Sequence, residues 1–153
     1  QFLSAIMASI RLSKTAEPLL QFCKTQDSGD APCIFATYAE LITFAAALGY
    51  RESGGGKPLD KVEPLRPGPD PIDLDIFRRG RLHSTLLLIG LACDQNLAVA
   101  KEEERLAKII EGYAHEGFLK MQALLKQCTP SSFHEELIDL MREAETAGEQ
   151  VAI

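Results

Sequence analysis

Between Tyr38 and Leu48 apolar residues wrap most of a helical cylinder, which predicts a central, buried helix. Thr37 can cap its first turn, and Glu40 three residues on completes a capping box. Gly49 fits the left-handed position that ends a helix. Ala45, Ala46 and Ala47 leave little side-chain bulk, so a second helix can approach closely. Upstream, Ile10-Arg11-Leu12 reads as a short extended segment. Ser13 or Thr15 then caps a helix running toward Gln26, with Pro18 tolerated in its first turn and Leu19, Leu20, Phe22 and Cys23 facing inward. Asp27 to Pro32 is a predicted turn.

After Tyr50 the pattern breaks into a long loop, Gly54-Gly55-Gly56-Lys57-Pro58 and then Pro64, Pro67, Pro69 and Pro71. Ile72 to Phe77 alternates apolar and acidic residues, as a short strand or an extended lead into a helix does. Leu82 to Asp94 shows no polar stripe and predicts a buried helix. Lys101-Glu102-Glu103-Glu104 opens another, with acids where a helix N-terminus favours negative charge. Gly112 and Gly117 predict a bend or break near Ala114, with helix resuming from Phe118 to Gln127. Cys128-Thr129-Pro130 is a stop. Ser132 and Glu135 form a second capping box for a last helix, Phe133 to about Ala147, with Phe133, Leu137, Leu140, Met141 and Ala144 as its apolar stripe. That stripe is a core face or a docking face for a partner helix.

These elements predict a mainly α, single compact domain of five to six helices, with a Gly/Pro-rich central loop and at most one short strand pair. Residues 7–128 form its body, and 129–153 a C-terminal helix packed on it. Residues 1–6, before Met7, lack the features of a signal peptide and read as a leader outside the fold. The 153 residues suffice for one core. The net charge of −6 argues against nonspecific nucleic-acid binding by the whole surface, though not against a local basic patch. No apolar run reaches membrane-spanning length. Cys23, Cys33, Cys93 and Cys128 form no C-x-x-C pair and read as buried, reduced thiols of a cytoplasmic protein.

Catalytic patterns are missing from the sequence. His83, His115 and His134 have no metal-binding spacing and read as solvated or half-buried. Cys93 lies in an apolar helix, where a thiol is unreactive, and no G-x-S-x-G elbow occurs. Gly54-Gly55-Gly56-Lys57 lacks the preceding strand, the glycine spacing and the following Ser or Thr of a phosphate-binding loop. Tyr50, Tyr113 and Phe118 read as packing residues. Arg78, Arg79 and Arg81 form the one dense basic cluster, suited to grip phosphates or an acidic partner. Its alternative is a solvated turn paired with Asp73, Asp75 and the acidic helix. Arg51 and Lys57 extend the candidate contact set. No catalytic residue, metal or cofactor is expected.

The stretch Phe35–Tyr50, F-x-T-x-A-x-L-x-x-F-A-A-A-L-G-Y, resembles the Dnd system-associated protein 4 family. Pro71 to Phe77 resembles that family's P-I-x-L-x-x-F segment, and the apolar helix at Leu86–Cys93 falls in the corresponding place. Glu111-Gly112-Tyr113-Ala114-His115-Glu116-Gly117-Phe118 is similar to its E-x-Y-A-x-G-G-L/F segment, with Glu116 where a small residue is expected. The resemblance covers residues 10–127. Ile10 to Lys14 is also similar to the start of the E component of the DNA phosphorothioation machinery, a small helical protein linked to DNA binding.

The resemblance implies a role beside DNA phosphorothioation, in which sulfur replaces a nonbridging phosphate oxygen, and in the restriction of phage or foreign DNA. The expected function is that of a nonenzymatic accessory protein, with other Dnd-system proteins as partners. DNA and a second copy of the chain are further candidate partners; no membrane is. The rival readings are a helical self-assembly module without DNA contact and a small subunit of a nuclease or hydrolase.

Overall fold

The computed structural model describes residues 8–24, 32–58 and 71–152. The expected leader at 1–6, most of the turn at 27–32 and the loop residues 59–70 lie outside the described residues. The order is β1 (Ser9–Ile10), a 3-10 helix (Lys14–Phe22), α1 (Tyr38–Glu52), β2 (Ile72–Asp73), α2 (Leu74–Arg79), α3 (His83–Asp94), a short 3-10 turn (Leu97–Ala100), α4 (Glu103–Lys126) and α5 (Phe133–Ala152). The fold is thus mainly helical, with one antiparallel strand pair in which Ser9 faces Asp73 and Ile10 faces Ile72. The alternating segment after Pro71 is a strand for two residues only; from Leu74 it turns into α2, which buries Leu74 and Phe77.

The centre of the molecule is the crossing of α1 and α4. A Cβ built on Gly117 would sit 1.9 Å from the Ala45 carbonyl oxygen, and one on Gly49 would sit 1.9 Å from that of Tyr113. The backbones therefore touch, and two sequence expectations give way. Gly49 does not end α1, which continues to Glu52; the left-handed glycines come later, at Gly54 and Gly55, with φ of 63° and 85°. Gly112 and Gly117 do not break α4, which runs unbroken for 24 residues. A mid-helix glycine costs about 1 kcal/mol in propensity. Here the close approach and the burial of Leu41, Ile42, Ile110 and Phe118 around it offset that cost.

Local chemistry settles several boundaries. Thr37 accepts from the Glu40 amide at 3.2 Å, and Glu40 reaches back to the Ala36 amide at 3.4 Å. This is the expected box, shifted by one residue on its return arm. Ser132 forms no such box: its hydroxyl accepts from the Thr129 amide and donates to the Thr129 carbonyl, each at 3.1 Å. The first helix is a nine-residue 3-10 helix that stops at Phe22, with Pro18 inside it. Ser13 does not cap it; buried, it meets His115 Nδ1 at 3.0 Å. The apolar helix α3 buries Leu86, Ile89 and Gly90 but leaves Leu88 exposed, so it lies at the surface rather than inside. α5 is fastened by Phe133, which stacks on Phe22 at 4.6 Å between ring centroids, and by buried Leu137.

Candidate functional site

Arg78 and Arg79 occupy the last turn of α2, where cations complement the helix dipole. Gly80 and Arg81 then turn the chain into α3, and Arg81 adopts a left-handed φ of 63°. The arginines are not left bare. Arg78 bonds Glu103 at the start of α4 and lies 3.9 Å from Asp75. Arg79 grips one Asp75 oxygen through two nitrogens, at 2.7 and 3.1 Å. Arg81 is exposed and has no ion pair among the described residues. The surface here alternates in sign. Ile76, on the same helix, is 45% exposed beside these charges, and Leu88 on α3 is 67% exposed. His83, after Arg81, is half-buried with its Nε2 unpartnered. Burial, with Arg78 nearby, pushes its pKa down and keeps it neutral at pH 7.

The other two candidate cations lie elsewhere. Arg51 meets the neighbouring Glu52 at 3.4 Å, and Glu52 also meets Lys120 of α4 at 3.3 Å. Lys120 is 17 residues beyond Glu103 on the same helix, about 25 Å along its axis. Arg51 and the α2 arginines therefore address different ends of α4. Lys57 stands at a cavity of about 260 Å³ whose walls include Cys93 and Asp94 of α3 and Arg105, Lys108 and Ile109 of α4. Sequence reasoning passed over Arg105 and Lys108; their i, i+3 spacing, one helix face, was the available signal.

The segment before Lys57 is held in place. Gly56 gives its carbonyl to the Tyr113 hydroxyl at 2.7 Å, and Ser53 caps the end of α1 through the Tyr50 carbonyl at 2.7 Å. Tyr113 is fully buried and packs edge-on against Tyr50, so the expectation that these rings serve packing holds. The Tyr113 phenol is pushed up by burial, with the Cys93 thiol beside it, and stays protonated as a donor.

His115 is tied to Ser13 and His134 is exposed, as expected for solvated or half-buried rings. No cluster of three or more potential metal ligands occurs among the described residues. Of the thiols only Cys23 is buried, its pKa pushed up to about 12 by burial and, secondarily, by Cys33 and Glu40. Cys33 is exposed, and Cys93 and Cys128 are half-buried, so uniform burial of the cysteines does not hold. No disulfide links them. No described helix is long and apolar enough to cross a membrane.

Four residues of the 111–118 motif hold neighbours. Glu111 accepts from the Arg11 amide at 2.7 Å, fastening the segment after β1. Tyr113 anchors Gly56, His115 meets Ser13, and Gly117 receives the α1 backbone. No curated protein and no solved structure matches the chain. A family match does, and it extends past Gln127 to include the last helix. By that match, over residues 9–152, the chain belongs to the family of DNA sulphur modification system-associated protein 4.

Proposed function

We propose that the chain is a nonenzymatic accessory protein of a bacterial DNA sulphur modification and restriction system, active against phage and working from the cytoplasm. It works by docking another protein of that system through the α2–α3 surface. The observation behind this reading is the ion pairing of Arg78 and Arg79. A DNA phosphate must displace Asp75 and Glu103 to reach them, and those carboxylates repel the rest of the backbone. A protein surface of alternating sign meets the same pattern without that cost. Exposed Ile76 supplies an apolar anchor of the kind found at the centre of protein interfaces, with Arg79 and Arg81 as polar rim, and Leu88 is a further exposed apolar residue on α3.

The test is affinity capture from the native host, with the lysate treated with nuclease. The wild-type chain is expected to retain an identified protein of the sulphur modification system. Ile76→Asp and Arg81→Glu are each expected to reduce that retention at least roughly thirtyfold, the equivalent of one lost hot spot. Retention that disappears with nuclease overturns the reading in favour of DNA contact. So does tight duplex binding that falls steeply with salt and is lost in Arg78→Ala/Arg79→Ala.

A further inference from the structure

We infer that the cavity between α3, α4 and the Gly56–Pro58 segment is a binding site for a small phosphate monoester, separate from the docking surface. Its lining holds three cations, Lys57, Arg105 and Lys108, against one acid, Asp94. Arg105 is already engaged: it bonds Asp94 at 2.6 Å and lies 3.7 Å from Glu102. Lys57 and Lys108 make no ion pair among the described residues. Two ammonium groups from different elements thus line one cavity with Asp94, whose Oδ1 is taken by Arg105 and whose Oδ2 is buried without a partner. Glu104 and Glu111 flank Lys108 along α4 but do not line this cavity. A dianionic group satisfies both lysines at once, as a single carboxylate does not. The Arg105–Asp94 pair supplies a further positioned donor face.

The cavity is shaped before a ligand arrives. Tyr113 fixes the Gly56 carbonyl, one residue before Lys57, and Pro58 restricts the backbone after it. Ile109 and Pro58 give an apolar wall for a carbon skeleton. The volume of about 260 Å³ lies just under the range of about 300–1,000 Å³ usual for drug-sized ligands. It suits a phosphate on a small organic group. This is not a P-loop: the glycines follow a helix, and binding rests on lysine side chains from two elements.

Cys93 shares the cavity and reports on its occupancy. The experiment measures the rate of Cys93 alkylation by iodoacetamide, resolved by peptide mass spectrometry, in the intact chain at constant ionic strength. Inorganic phosphate and a nucleoside 5′-monophosphate are the probes, with a duplex oligonucleotide as the third arm. Phosphate or the monophosphate is expected to slow Cys93 several-fold, with half-protection on the order of 1 mM or below, and to leave Cys128 unchanged. Lys57→Gln and Lys108→Gln, both at exposed positions, are expected to weaken protection roughly tenfold each. Lys126→Gln, on the last turn of α4, is expected to leave it intact. No protection by either free species, protection by the duplex alone, or equal protection in the lysine variants overturns the inference. Absence of protection by phosphate and equal protection in the lysine variants have no bearing on capture through α2 and α3, so the two readings fail separately.

Discussion

At Gly117 a single hydrogen atom sets how close two helices come. The space a methyl group needs there is filled by the Ala45 carbonyl, and the obstacle is backbone, which cannot rotate away. Gly117→Ala is therefore expected to cost about 3 kcal/mol through overpacking, read as a lower urea midpoint. Gly54→Ala has open space but a φ of 63°, and is expected to cost only about 1 kcal/mol. Equal effects of the two would contradict the close crossing. Glu116 makes a second residue-scale prediction. One of its carboxylate oxygens is buried without a partner, and burial pushes its pKa above the usual 4.5. The folded state thus holds this proton more tightly than the unfolded chain. Its contribution to stability is full below the unfolded pKa and is lost as pH rises through the folded one. Glu116→Gln is expected to raise the thermal midpoint at pH 7.5, with the gain vanishing as pH falls below about 4.5. A gain that is constant across pH would mean that the carboxylate charge is not its source.

At the scale of elements, the described part of α5 is held by buried Phe133 and Leu137, with Leu140 half-buried against the core. Phe133 is fully buried on Phe22, whereas Met141 is 49% exposed. Phe133→Ala is expected to cost about 3–5 kcal/mol and to raise hydrogen exchange throughout α5. Met141→Ala is expected to stay within about 0.5 kcal/mol, as for other surface changes. A reversed order would show that the stripe docks through Met141 rather than packing through Phe133. The legibility of elements followed the range of the forces that make them. The Thr37 cap, the α1 body, the Cys128–Pro130 stop and the existence of α3 rest on residues within four positions of one another, and all were readable. The continuity of α4 was not, because the neighbour that makes Gly117 useful lies 72 positions earlier in the chain. The exposure of Leu88 was hidden for a similar reason: an all-apolar helix does not say which side will be covered.

For the whole molecule, charge separates the two surfaces. The net charge of −6 and the pairing of Arg78 and Arg79 leave little field to steer a polyanion. The chain is expected to show no retention on duplex DNA at about 0.15 M salt, where the Debye length is about 8 Å; a gel-shift or anisotropy titration checks this. Retention there would restore DNA as the direct partner. The sequence by itself determined the helical class with at most one short strand pair, the N-terminal cap of α1 and, through its motifs, the family. It also exposed the Arg78–Arg81 cluster, since adjacent residues need no fold to be neighbours. Only the tertiary structure decided that Asp75 and Glu103 occupy those arginines, and that Arg51 lies toward the far end of α4. It alone brought Lys57, Asp94 and Lys108 around one cavity. Ion pairs and cavities arise from packing between elements distant in sequence, and no local pattern of side chains encodes which elements will meet.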